Sequence, residues 1–136
     1  MKKFDKKILA TASFLGALTI GIGAFGAHGL ERLVDAEAVS SFETGVRYQM
    51  FHVLALLVLG FASWINHGTK KWTFWFFVLG MLLFSGSIYL LSLDSILSMN
   101  TKVLGPVTPV GGLLFIAGWL RLGLGIIKLN AKNSKE

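Results

Sequence analysis

The chain predicts an all-α integral membrane protein: four transmembrane helices in a bundle, with a short amphipathic helix between helices one and two. Three observations point there. Hydrophobic residues make up 54% of the 136 residues and charged residues only 15%, a bias that fits a chain whose solvent is itself apolar. Four apolar runs occupy most of the length, and they are too long and continuous, with no period-two alternation, to be strands. The loops between them alternate in positive charge, as membrane topology requires.

The first run covers 8–27, and its polar members Thr11, Ser13 and Thr19 can bond back to helix carbonyls. The second, 48–65, falls a little short of the ~20 residues that cross about 30 Å of hydrocarbon. It is therefore expected to start inside the preceding loop. The third, 72–93, contains Ser85, Ser87 and Tyr89, and opens with Trp72 and Trp75 beside Lys70 and Lys71, as interface anchors do. The fourth, 109–127, follows Thr108-Pro109, a suitable N-cap and first helical position. With no repeat or internal boundary, 1–136 reads as a single four-helix transmembrane domain.

Lys2, Lys3, Lys6 and Lys7 precede the first span, Lys70 and Lys71 separate the second and third, and Lys128, Lys132 and Lys135 follow the fourth. The other two loops hold Arg32, Arg47 and Lys102 among Glu31, Asp35, Glu37, Glu43 and Asp94. The positive-inside rule then places both termini in the cytoplasm. The formal charge of +6 is juxtamembrane charge facing anionic lipid, so the bilayer is the expected partner and nucleic acid is not. A basic start before an apolar run and Ala24-Phe25-Gly26 also has the look of a cleaved leader. The run is long for one, so it is expected to be retained.

Between the first two spans, Leu30, Val34, Ala38, Phe42 and Val46 recur every four residues, one face of a helix. Asp35 is a suitable N-cap. This is the amphipathic segment, expected to lie at the outer interface, run into span two and shield the span ends.

The residues able to carry chemistry gather near the same end. His28 shares a helical phase with Ala24, Gly21, Ala17 and Ser13, a small-residue stripe of the kind that lets membrane helices approach. Tyr48 and Gln49 lie one turn before His52, and Glu43 with Arg47 forms a possible i,i+4 pair above them. Ser85, Ser87 and Tyr89 lie in the outer half of span three. Such a polar cluster reads either as interhelical hydrogen bonding or as a pocket for a ligand, a metal or haem. The structural reading leads, because two histidines without fixed spacing are a weak ligand set. No metal and no cofactor is expected. Gly111 and Gly118 give span four a second close-packing surface. Arg121 is placed to snorkel to the cytoplasmic face.

Absences narrow the function. With no cysteine, disulfides and thiol relays are out. No Asp or Glu falls mid-span, where proton-coupled exporters keep their exchange site. No nucleophile triad, zinc motif or phosphate-cradling loop is present, and the glycines from Gly21 to Gly26 lie inside a span rather than after a strand. An enzyme is not expected.

Gly23-Ala24-Phe25-Gly26-Ala27-His28-Gly29-Leu30, Thr44-Gly45-Val46-Arg47-Tyr48-Gln49 with His52, Leu83-Phe84-Ser85-Gly86-Ser87-Ile88-Tyr89 and Thr108-Pro109-Val110-Gly111-Gly112 resemble the YgdD/YwdK family. These are small bacterial inner-membrane proteins of unknown function, with eukaryotic relatives. The resemblance covers nearly the whole chain and implies a four-helix, multi-pass protein of the inner membrane. It implies no activity, substrate or cofactor. The leading expectation is a non-enzymatic accessory or scaffold component of a membrane complex, with a membrane-protein partner or a second copy. The alternative is a small-molecule, lipid or metal binder or transporter using the outer polar cluster.

Overall fold

The computed structural model describes residues 1–97 and 100–133, with side chains described through residue 129. Among these residues every regular element is helical. Helix α1 is Lys3–His28, α2 is Ala36–Phe61, α3 is His67–Gly80, α4 is Gly86–Ser92 and α5 is Val107–Asn133. A π-helical segment, Met81–Ser85, joins α3 to α4, so that His67–Ser92 is one continuous span. Four segments are long and apolar enough to cross a membrane; their mean hydropathies are 1.9, 1.3, 2.0 and 1.9 in chain order. The lowest belongs to Ala36–Phe61, whose first turns carry Glu37, Ser40, Ser41, Glu43 and Thr44.

Those polar turns are where the structure departs from the expected short helix between spans one and two. Only a single 3-10 turn, Leu30–Arg32, stands between α1 and α2. The amphipathic segment is the start of α2 itself. Asp35 accepts from the Ala38 amide at 2.8 Å and caps the helix. No proline follows before Phe61, so nothing stops the helix once begun. The second span gains length in the way its short apolar run required. At the other entry, Asn66 caps α3 by accepting from Thr69 N at 2.8 Å. Helix α5 begins two residues ahead of Pro109. The proline therefore sits in the first turn, where its missing N–H leaves no bond unmade.

The closest packing is between α1 and α2 and between α3 and α5, and α2 also meets the third span. Thus α2 and the third span run through the middle, with α1 and α5 flanking them. The core is Ile8, Ala12, Val53, Leu56, Leu59, Phe74, Phe77, Met81 and Phe115. At the π segment α5 comes closest. A Cβ on Gly111 would collide with the backbone of Leu83 and Phe84, so no side chain fits there. About two turns further, a Cβ on Gly118 would lie 2.6 Å from the Phe77 ring.

At the end that holds the N-terminus, the bundle closes on one buried ion pair. Lys70 Nζ donates to Asp5 Oδ1 at 2.6 Å, and the two side chains are 3% and 8% exposed. Arg121 reaches toward the same end and donates to Thr69 Oγ1 at 3.1 Å. Phe4 packs edge-on against Phe74 and His67.

Candidate functional site

Because α2 runs through the middle of the bundle, neighbouring residues on it face different partners. Gln49 faces α1 and α4. Its amide nitrogen donates to Thr19 Oγ1 at 2.8 Å and its carbonyl accepts from Tyr89 Oη at 2.8 Å. Thr19 in turn donates to Leu15 O at 2.6 Å. The donors therefore run one way, from Tyr89 through Gln49 and Thr19 to a backbone carbonyl, and tie three helices together. Above this chain, Ser85 donates to Gly45 O at 2.7 Å. Gly45 is the place of close approach, since a Cβ there would lie 2.8 Å from the Tyr89 ring.

His52 faces the other way, toward α5. Its ring stacks on Phe115 with centroids 3.6 Å apart and planes 9° from parallel. Phe77 meets it edge-on at 4.9 Å. Nδ1 lies 2.7 Å from Tyr48 O, and Nε2 accepts from Trp119 Nε1–H at 3.1 Å. An indole N–H only donates and a carbonyl only accepts. The partners therefore assign the proton to Nδ1 and leave Nε2 as acceptor. No nitrogen lone pair remains for a metal or haem iron. Among the described residues, no group of three or more histidine, aspartate, glutamate or cysteine side chains could hold a metal ion.

The expected outer cluster is thus divided. Gln49, Ser85 and Tyr89 are joined on one side of α2. Tyr48 packs against Phe84 and Phe115 on the other and is 41% exposed. Ser87 donates to Phe84 O at 3.0 Å and sits 2.6 Å from Thr108 Oγ1. With the Ser87 proton engaged, Thr108 must be the donor of that second bond. His28, Glu43 and Arg47 are exposed, and His52 bonds to Tyr48 and Trp119 instead. Among the described residues the ion pairing is that of Asp5 with Lys70, and Glu43 and Arg47 form no pair. His28 is outward because the stripe that set its phase is outward. Ser13, Ala17, Gly21 and Ala24 are all exposed, and a Cβ on Gly21 would meet nothing within 4 Å. The face of α1 that meets α2 carries Ala12, Gly16, Thr19, Gly23 and Gly26 instead. Gly111 and Gly118 are buried against span three.

Sequence reasoning missed Asp5, Trp119 and Thr108 as bonding partners, and missed Ser92. Asp5 had a signal: it is a lone carboxylate among four lysines at the head of an apolar helix. Trp119 had none, because its pairing with His52 spans 67 residues of chain.

The geometry describes helix–helix locking through Gln49 and His52, with the buried hydroxyls of Thr73 and Ser92 left without a partner among the described residues, and the comparisons assign no chemistry. A family model described as "Protein of unknown function (DUF423)" matches residues 22–112. A UPF0382 membrane protein of Staphylococcus haemolyticus is 45% identical over 118 residues, covering 84% of this chain and 93% of the relative. The UPF0382 inner membrane protein YgdD of Escherichia coli K12 is 38% identical over 128 residues, covering 92% of each chain. A UPF0382 membrane protein of Haemophilus influenzae is 35% identical over 122 residues, 90% of this chain and 94% of the relative. No solved structure matches. With identity this high over most of the length of each protein, the chain belongs to the DUF423/UPF0382 family of membrane proteins.

Proposed function

We propose that the chain is a non-enzymatic component of the bacterial inner membrane, an accessory or scaffold subunit that works against a membrane-protein partner or a second copy. One observation carries this reading. Gln49 and His52, the two buried polar groups of α2, have both ends of their side chains engaged within the chain. A catalytic or ligand-holding group needs a free donor or acceptor facing its substrate. An amide in the middle of a hydrogen-bond chain also cannot hand on a proton, which argues against proton-coupled transport along it. Capture from a gentle detergent extract, followed by mass spectrometry, is expected to recover a stoichiometric membrane protein or a second copy. A solitary chain under every mild solubilising condition overturns the proposal.

The proposed orientation puts both termini in the cytoplasm, with the whole chain as one transmembrane domain. Lys2, Lys3, Lys6, Lys7, Lys71 and Lys128 crowd the end that holds the N-terminus, and Glu31, Asp35, Glu37, Glu43 and Asp94 the other. This charge asymmetry supports that orientation. The chain lacks cysteine, so single cysteines at Lys71 and Glu37 give an unambiguous labelling test. Position 37 should label from outside intact spheroplasts and position 71 only after lysis.

A further inference from the structure

At the end opposite the N-terminus, a pocket of about 450 Å³ opens between the start of α2, the end of α4 and the first turn of α5. Asp35, Glu37, Ser41, Thr44, Ser92 and Thr108 are its polar lining, and no lysine or arginine contributes to it. None of these residues belongs to the Gln49 chain or the His52 stack. From these groups we infer that the pocket binds a primary ammonium group, R–NH3⁺, carried by a small amine or a lipid headgroup.

The argument rests on the direction of the hydrogen bonds. Thr44 donates to Ser40 O at 3.1 Å, and Thr108 donates to Ser87. Both hydroxyl protons are engaged inside the protein, so what these groups offer the pocket is oxygen lone pairs. Asp35 uses Oδ1 for the α2 cap, and a carboxylate has further lone pairs to offer. Glu37 adds a second carboxylate. The wall is therefore rich in acceptors and negative. Independently, Ser92 lines the same pocket at 5% exposure, and its buried hydroxyl has no hydrogen-bond partner among the described residues. A buried polar group left unpaired is costly. A ligand in the pocket that draws this hydroxyl outward and donates to Ser92 Oγ lowers that cost.

The occupant that fits acceptors on several sides is a compact cation with several N–H donors. A primary ammonium has three, and a quaternary ammonium has none. The volume exceeds what a bare ion fills, and the described residues offer no cluster of three metal-ligating side chains. An amine with a short polar tail remains. It can come from free solution or from phosphatidylethanolamine, since the pocket lies at the ends of the spans on that side, within reach of lipid headgroups.

The test uses the full chain in nanodiscs of phosphatidylglycerol, titrated with ethanolamine, with choline in parallel, and read by thermal shift and by NMR. Saturable stabilisation by ethanolamine, with choline at least about tenfold weaker, is the expected result if the source is a free amine. If the source is lipid, the stabilisation appears when phosphatidylethanolamine, and not phosphatidylcholine, is added to the disc. Asp35→Asn with Glu37→Gln removes the charges while asparagine still caps α2, and should weaken binding about tenfold or more. Ser92→Ala should weaken binding without lowering the unliganded melting temperature, because its hydroxyl holds no internal bond and is itself an unpaired buried group. Equal response to choline, the same shift from Mg²⁺, full affinity in the charge-removed variant, or no response to amine or lipid in the wild type would each overturn the assignment. The wild-type comparison of ethanolamine with choline decides the matter even if a variant fails to fold.

Discussion

Helix α1 presents two stripes of small residues, about a third of a turn apart, and the bundle uses only one. Ala12, Gly16, Thr19, Gly23 and Gly26 meet α2, while Ser13, Ala17, Gly21 and Ala24 face outward. In size the stripes are nearly interchangeable, so the ability to approach closely cannot be what selects between them. What differs is polarity. Continued toward the N-terminus by helical steps, the inward stripe passes through Ile8 to Asp5. It therefore holds a carboxylate at one end and a hydroxyl in the middle, and each has a specific partner, Lys70 and Gln49. On the outward stripe, Ser13 bonds back to Leu9 O at 2.9 Å within its own helix and asks for nothing else. In an apolar solvent the face that needs a partner is the face that turns inward. Small residues then allow the contact that polar residues have chosen.

The sharpest way to break this comparison is to remove the charge. Asp5→Ala leaves the Lys70 ammonium buried at 3% exposure, and removing one partner of a buried pair typically costs about 3–5 kcal/mol. Reversible unfolding in detergent or bicelles should show a loss of that order. Replacing both, Asp5→Leu with Lys70→Met, should recover most of it, because an apolar pair of similar size is often as stable as a buried ion pair. A single substitution that changes stability by less than about 0.5 kcal/mol would show that the pair does not select the face.

The same contrast explains what the sequence makes legible. Span number, the helix cap at Asp35 and the charge asymmetry are local or additive properties, and a run such as 72–93 announces itself without knowledge of its neighbours. Helix phase is different. For α1 the small-residue pattern has two solutions, and reading the stripe through His28 selects the outward one. Following Asp5 and Thr19 instead would have found the inward face, since both are polar residues that a membrane helix has reason to turn inward. The division of the outer cluster was not legible. Tyr48 and Gln49 are adjacent, and only the middle position of α2 sends them to different helices. The π segment at Met81–Ser85 likewise sets the phase of Ser85 and Tyr89, and no local pattern marks it.

A smaller effect is expected from the hydroxyl in the same stripe. Thr19→Val keeps the shape and removes the acceptor of the Gln49 amide. The buried amide is left unpaired, at a cost of about 1–3 kcal/mol. Interhelical hydrogen bonds measured within membranes sit toward the low end of that range, so about 1 kcal/mol is the expected loss, read as a lowered melting temperature. Tyr89→Phe should cost about the same by freeing the Gln49 carbonyl at the other end of the chain. The double variant should cost less than the sum, because Gln49 is shared. Strict additivity would mean that the bonds act separately and that the chain from α4 through α2 to α1 is not one unit.

The smallest effect belongs to the bare stripe. Gly21→Leu adds a side chain where the structure has no atom within 4 Å of the new Cβ. Overpacking has nothing to act on, and the change should lie within about 0.5 kcal/mol of wild type. The matched substitution on the inward stripe, Gly26→Leu, places its Cβ 2.8 Å from the Phe42 ring and should cost about 1–3 kcal/mol. The pair tests the facing of α1 directly, because the two sites share residue type, helix and depth within about a turn and a half. Equal losses at both would mean that the outward stripe is also covered. If the loss at Gly21 then shrank with dilution of the protein in detergent, the cover would be a second copy, since dilution takes from the wild type the association that the variant lacks. Unchanged stability at Gly21 at every dilution, beside a clear loss at Gly26, would leave the outward stripe to lipid.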